Sequence, residues 1–294
     1  MTNAITSDAS IMKELPKIIA WMEALGLSAG NSRYSRYEKI INKFYAKELD
    51  PSSDEGKQCF TELTQAYREC TDIYLVYKCF AHVTHPNFLA KMKKVIKGQE
   101  VPNLKDAGTS RDFLFELLVA ARFQLAGYTI DFDETTDVVA IRGVLVVRVE
   151  CKRIGSEARL GERIAEAANQ LTKPMVKARL NVINIIYVDI SSCVLADVSQ
   201  LVETAKDAKC EMQAVTVRFL QRNARLVETL NEKYIDISHG TCLIATLPIW
   251  SRDFVMHTTA ATQVRAAEKL SDEKYGMLQN ALADFDDTFT KLFG

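Results

Sequence analysis

The order of patterns along this chain predicts an α/β fold: a mixed sheet flanked by helices, with a helical N-terminal region and a helical C-terminal segment. Three observations carry that expectation. Residues 10 to about 100 hold apolar side chains at helical spacing, whereas residues 128–151 break into three short β-branched runs. Beyond them strand and helix patterns alternate, so that a helix crosses between strands.

In the first region Ile11, Leu15, Ile18, Ile19, Met22 and Leu25 recur at helical spacing, and Gly26 ends the run as a C-cap residue does. Helices follow over roughly 33–48 and 55–81, divided by Asp50-Pro51-Ser52-Ser53-Asp54. Pro86 opens a shorter helix that ends near Gly98. The stretch from Gly98 to Gly108, with Pro102, Asn103 and Asp106, reads as a connector and bounds a helical N-terminal region at 1–105.

Thr109 or Ser110 can cap a helix from about Arg111 to Ala126, stopped by Gly127. Tyr128–Phe132, Asp137–Ile141 and Val144–Cys151 are then strands, with Arg142-Gly143 as the tight turn between the last two. A helix over about Glu157–Lys177, a buried strand Val182–Ile190, helices over 197–208 and 212–233 and a strand Thr241–Trp250 complete a core at 106–250. A final helix over 260–292 makes 251–294 a C-terminal helical segment that packs on the core or on a partner.

With 294 residues, 48% hydrophobic and 26% charged, the chain has the composition of a globular protein with a sizeable core. A formal net charge of −1 excludes coating of nucleic acid by bulk charge, so a nucleic-acid site has to be a local patch. No run reaches the ~18 apolar residues of a membrane span. The N-terminus has neither the basic start nor the apolar centre of a secretory signal. Seven widely spaced cysteines without a CxxC or CxxH pair argue against a disulfide framework or a structural zinc site, and for reduced thiols in a cytoplasm.

Glu116 stands among Phe113, Val119, Ala120 and Phe123 at helical spacing, so its carboxylate faces the sheet and needs a cation or a donor. A carboxylate paired to an arginine, or one at the helix rim, is the plainer account. Asp137 opens a strand that is otherwise Val138-Val139-Ala140-Ile141, where strand propensity disfavours Asp unless turn chemistry explains it. Glu150 and Lys152 close the next strand and share a face with Arg148, while Cys151 faces the other way. With a turn at Arg142-Gly143, Asp137 falls opposite Arg148 and diagonal to Glu150. Two carboxylates so placed can hold a divalent cation with an ammonium beside it; an Asp137–Arg148 ion pair with Glu150 and Lys152 solvated is the competing account.

A helix Glu, an Asp 21 residues on and an E-x-K 13 residues later, at a strand end, resemble the PD-(D/E)XK nuclease superfamily. The resemblance covers about 111–190 and implies a restriction-endonuclease-like core. It also implies that Asp137 and Glu150 bind Mg²⁺, with Mn²⁺ as a substitute, and that the main-chain carbonyl of Cys151 assists. Lys152 would orient the attacking water or stabilise developing charge, and Glu116 would support the metal directly or through water. Gln170, 18 residues after Lys152, matches a Gln that some members carry on the following helix. The Tyr that accompanies it in one subgroup is absent, since position 174 is Pro, and Thr136 stands where a Pro precedes the Asp. The implied activity is Mg²⁺-dependent endonucleolytic hydrolysis of DNA, which fits restriction, phage defence or repair. The other readings are a nuclease-like fold kept for DNA binding or assembly, and an unrelated α/β interaction protein.

Between Arg142 and Arg179 nine residues are basic and four acidic, a local excess that can contact phosphates, with Arg153 and Arg163 as the expected contacts. Arg36, Lys39, Lys43 and Lys47 line one helical face beside Tyr34, Tyr37, Phe44 and Tyr45; a solvated face over core aromatics explains them better than a nucleic-acid wing. Residues 271–294, with five acids and two bases, suit packing or dimerisation rather than DNA. His82 and His85 read as an ordinary surface pair. The expected partners are therefore DNA and a second copy or a partner subunit, without a membrane.

Overall fold

A computed structural model of the chain describes residues 6–46, 54–98, 109–177, 179–198, 201–252 and 256–283. Four helices come first: α1 (Asp8–Ala24), α2 (Arg33–Ala46), α3 (Asp54–Phe80) and α4 (Pro86–Ile96), with a two-residue strand β1 (Thr6–Ser7) ahead of them. Residues 99–108 of the expected connector lie outside the described residues. α5 (Thr109–Leu125) leads into β2 (Thr129–Ile130), β3 (Val138–Arg142) and β4 (Leu145–Arg153). Then come α6 (Leu160–Leu171), β5 (Val182–Asp189), α7 (Ser191–Val194), β6 (Leu201–Val202), α8 (Ala205–Lys233), β7 (Gly240–Ser251), β8 (Met256–Ala266) and α9 (Asp272–Leu282).

The glycine stops behave as expected. Gly127 has a φ of +84°, and the N–H of Tyr128 donates to the Phe123 carbonyl at 3.0 Å while that of Gly127 donates to Gln124 at 3.1 Å. Those two bonds close the end of α5, and the Phe123 and Tyr128 rings meet 5.3 Å apart above them. The chain thus turns out of α5 directly into the sheet.

One mixed sheet organises the molecule, with strands side by side in the order β1-β8-β7-β5-β4-β3-β2 and β6 added to β7. β4, β5 and β7 run parallel, connected by α6 and α8, while β3 and β8 are antiparallel to their neighbours. The central strands are apolar on both sides because both faces are covered. Val147, Val149, Cys151, Ile185 and Tyr187 join a core shared with α1–α5 and α9. Ile186, Val188 and Leu243 join a second core with α6 and α8. The helical N-terminal region is therefore one wall of the same core, tied by Arg33 Nε–Glu69 Oε2 at 2.5 Å and Arg111 Nε–Glu69 Oε1 at 2.7 Å across α2, α3 and α5.

Four expectations need correction. The turn after β3 is Gly143-Val144, not Arg142-Gly143, since Arg142 pairs with Leu145 and Ile141 with Val146. Gly143 sits at a φ of +60°, which a glycine takes without the Cβ penalty that Arg142 would meet. The helix expected to Lys177 stops at Leu171, ahead of Pro174, which has no N–H to continue the helical bonding. In place of two helices over 197–208 and 212–233 there is the single α8, capped reciprocally by Thr204 and Asp207, and Leu201–Val202 ahead of it is the strand β6.

The last correction concerns the C-terminal segment. Residues 260–266 are strand, paired with β7 from Trp250↔Met256 to Gly240↔Ala266. Their alanines read as helix locally, but the twelve-residue apolar β7 needs a hydrogen-bonded neighbour on that side, and pairing overrides propensity. Only α9 is helical among the described residues beyond 251, and it rests on the core, where Arg142 Nη2 donates to the Asn280 carbonyl at 2.9 Å.

Candidate carboxylate–lysine site

The shifted hairpin register brings the acids closer than expected. Val138 pairs with Val149, so Asp137, one residue before β3, falls directly opposite Glu150. There the two chains stop exchanging ladder bonds, and Asp137 Oδ2 instead accepts the main-chain N–H of Cys151 at 2.9 Å. Alternation along β4 puts Glu150 and Lys152 on the face covered by α6, where Lys152 Nζ donates to Gln170 Oε1. Glu116 approaches from α5 and is 7% exposed, against 4% for Glu150 and 9% for Lys152.

Burial and crowding perturb these acids. Burial first, then the charge of Asp137 and a hydrogen bond to it, push Glu150 up to about 8, with Lys152 opposing. Glu150 Oε2 is buried without a hydrogen-bond partner. Burial also raises Glu116 to about 7, countered mainly by Lys91 and reinforced by Asp137 and Asp112. Cys151 is buried too, and its thiol is pushed well up by burial and then by the charges of Asp137, Glu116 and Glu150. Asp137 thus bears on both Glu116 and Glu150, Glu116 bears on Glu150, and Lys152 opposes the shift of Glu150.

Two residues of this cluster escaped the sequence reading. Lys91, on α4, places Nζ 2.7 Å from Glu116 Oε2 and 2.6 Å from the main-chain oxygen of Asp137. Its place three residues after Phe88 and four before Val95 sets it on the apolar face of α4, unlike Lys93 and Lys94, and is a signal that could have found it. Asp112 lies one turn before Glu116, and that i, i+4 spacing is a signal that could have found it. Burial raises its carboxyl, while Arg153, Arg163 and Lys152 pull it down.

The competing Asp137–Arg148 pair does not form. Arg148 pairs with Val139 in the ladder, and its guanidinium donates to Thr136 Oγ1 at 3.0 Å and to the Lys173 and Leu171 carbonyls at 2.9 and 3.3 Å. It therefore fastens the C-terminal end of α6 to the loop that delivers Asp137. Nor is Glu116 paired to an arginine; its partner is a lysine.

The two expected phosphate contacts part company. Arg153 points to the face opposite Lys152, where Nε meets Asp189 Oδ2 at 2.9 Å beside Arg68 Nη2 at 3.2 Å. It belongs to an internal ion network, and that commitment corrects its assignment as a phosphate contact. Arg163, on α6, pairs with Glu166 at 2.6 Å and stays partly open. Lys43 and Lys47 lie outside the residues whose side chains are described. His85 caps α4 by accepting the Asn87 N–H and meets Asp133 at 3.0 Å.

Among the described residues no group of three or more His, Cys, Asp and Glu side chains is placed so that it could hold a metal ion. The donor set at hand is smaller and all oxygen: Asp137, Glu150 with its unpartnered Oε2, and the adjoining Cys151 carbonyl. It fits Mg²⁺, which is hard and usually keeps waters beside one or two protein carboxylates. The seven cysteines are free thiols. No helix among the described residues is long and apolar enough to cross a membrane.

The chain is thus an α/β protein with a mixed sheet and a buried carboxylate–lysine cluster at one strand end. Comparison with family models, with curated proteins and with solved structures finds no match to it.

Proposed function

We propose that this chain is a Mg²⁺-dependent phosphodiesterase that hydrolyses DNA, on a restriction-endonuclease-like core. One observation carries the reading: Glu150 faces Asp137 across the hairpin end, with a buried carboxylate oxygen that no protein group satisfies, and Lys152 projects on the same strand face. Unpartnered buried carboxylates are costly and persist where something else is meant to meet them.

Bound between Asp137, Glu150 and the Cys151 carbonyl, the metal would supply water activation and neutralise phosphodiester charge. The protein's own part is positional. Gln170 holds the Lys152 ammonium at a fixed site, where a point charge stabilises negative charge developing on phosphate oxygens. Asp137 is aimed by the Cys151 N–H, and Arg148 secures the loop behind it. Glu116 lies next to this pair as a further carboxylate, and Arg163 adds positive charge near the cleft.

The test is a digestion panel of plasmid, linear and single-stranded DNA with Mg²⁺, comparing wild type with Lys152→Ala. Cleavage that stops with EDTA, returns with Mg²⁺ or Mn²⁺ and is missing in the variant supports the proposal. Metal-independent cleavage, equal cleavage by both proteins, or DNA binding without any cleavage would overturn it, the last in favour of a binding module.

A further inference from the structure

The ammonium of Lys91 already sits where positive charge is wanted. α4 is fastened at its start to the loop before β3: Asn87 Nδ2 donates to the Phe132 carbonyl at 2.8 Å, and His85 Nε2 meets Asp133 at 3.0 Å. Helix and loop are thus tied to each other, and one turn further along Lys91 reaches both Glu116 and the main chain of Asp137. Phe88, Met92 and Val95 form the buried face of α4, whereas Lys93 and Lys94 are exposed, so Lys91 alone of these three lysines turns inward. Its side chain is 24% exposed, and the Glu116 carboxylate it meets is 9% exposed.

We propose that Lys91 is a built-in counter-ion of the site, with which a divalent cation competes for Glu116. The inference rests on the metal-dependent reading above and adds a regulator to it. Glu116, Asp137 and Glu150 bring three negative charges when ionised, and Lys91 and Lys152 return two. Neutralising Lys91 leaves two negative charges, the number that one divalent ion balances. A unit charge this close, in partly desolvated surroundings, opposes a dication strongly. When the metal arrives, Lys91 leaves Glu116 and its amine becomes free; α4, part of the helical N-terminal region, thereby senses metal occupancy.

The test titrates the full chain with Mn²⁺ at pH 8, following binding by electron paramagnetic resonance. Lys91→Met should bind Mn²⁺ about tenfold more tightly than wild type, and Lys91→Arg about as weakly as wild type. Equal or weaker binding by a folded Lys91→Met overturns the inference, because a purely supportive lysine would lower affinity when removed. A second measurement needs no variant: acetylation of Lys91 by an amine reagent, read by mass spectrometry, should speed up on adding Mg²⁺. An unchanged or slower rate overturns the inference. If Glu150→Gln abolishes Mn²⁺ binding while Lys91→Met matches wild type, the metal site stands and only the competition falls. If no protein binds Mn²⁺, both readings fall together.

Discussion

Asp137 is aimed across the hairpin end by a main-chain donor, its Oδ2 accepting the Cys151 N–H at 2.9 Å. That bond replaces the ladder where β3 and β4 separate and holds a carboxylate against Glu150 in spite of their mutual repulsion. Asn can accept the same hydrogen bond without the charge. Asp137→Asn should therefore keep the fold while losing DNA cleavage by at least ~100-fold, as should Glu150→Gln and Lys152→Met. Without metal, Asp137→Asn and Glu150→Gln should melt no lower than wild type at pH 8, because like charge is relieved. A large drop in melting temperature for either would mean that the pair is structural.

The pH dependence of stability follows from Glu150 and Glu116. Glu150 is raised from 4.5 to about 8 and Glu116 from 4.5 to about 7, so the folded chain holds protons that the unfolded chain has released. Stability falls as pH rises through that window, at roughly 1 kcal/mol per pH unit for each such group. Asp189 works the other way. Arg68 and Arg153, together with Ser191, outweigh its burial and hold it down at about 2, so its contribution is present above pH 4 and is lost as pH falls toward 2. Metal-free protein should thus melt highest near pH 5 and lower at pH 8, measured by calorimetry in EDTA. Glu150→Gln should flatten the alkaline limb, and so should Mg²⁺, which favours the ionised carboxylates. Identical alkaline limbs for wild type and Glu150→Gln would dispose of this account.

Local chemistry made much of this arrangement readable from sequence. Gly26 and Gly127 announced two helix ends, and the β-branched runs announced the hairpin and the parallel strands. Period-two alternation correctly put Glu150 and Lys152 on one face, and it survived the register error because the slip was two residues in pairing, which preserves faces. What failed was decided at a distance. β8 is a strand because β7 lies beside it, and Lys91 belongs to the cluster because α4 docks on the loop 46 residues later in the chain. Arg153 looked like a phosphate contact until Asp189 and Arg68, from a different strand and a different helix, closed around it.

Asp189 should matter more for stability than any acid of the proposed site. Its Oδ2 meets Arg153 and Arg68 while Oδ1 accepts the Ser191 N–H at 2.9 Å, and the carboxylate side chain is 8% exposed. Asp189→Ala leaves two partly buried guanidinium groups facing one another without their shared anion. Breaking such a network by removing one partner costs roughly 3–5 kcal/mol. Urea unfolding should show a loss of that order for Asp189→Ala and a smaller one for Asp189→Asn, which keeps the Ser191 bond. A loss below about 1 kcal/mol would show that solvent already screens the network.

The split between Arg153 and Arg163 predicts opposite consequences for DNA binding. A lysine or arginine that touches a phosphate releases a counterion, so its removal lowers the slope of log affinity against log salt by about one. Arg163, on the same helix as Gln170, is placed to make such a contact, and Arg163→Ala should weaken binding with a shallower slope. Arg153 is occupied by Asp189 on the far face of β4, so Arg153→Ala should lower the melting temperature and leave the slope unchanged. Fluorescence anisotropy across a salt series, run with Mg²⁺ replaced by Ca²⁺ and well below both melting temperatures, separates the two. A reduced slope in Arg153→Ala would require the guanidinium to leave Asp189 when DNA binds, and would make the ion network part of the nucleic-acid surface.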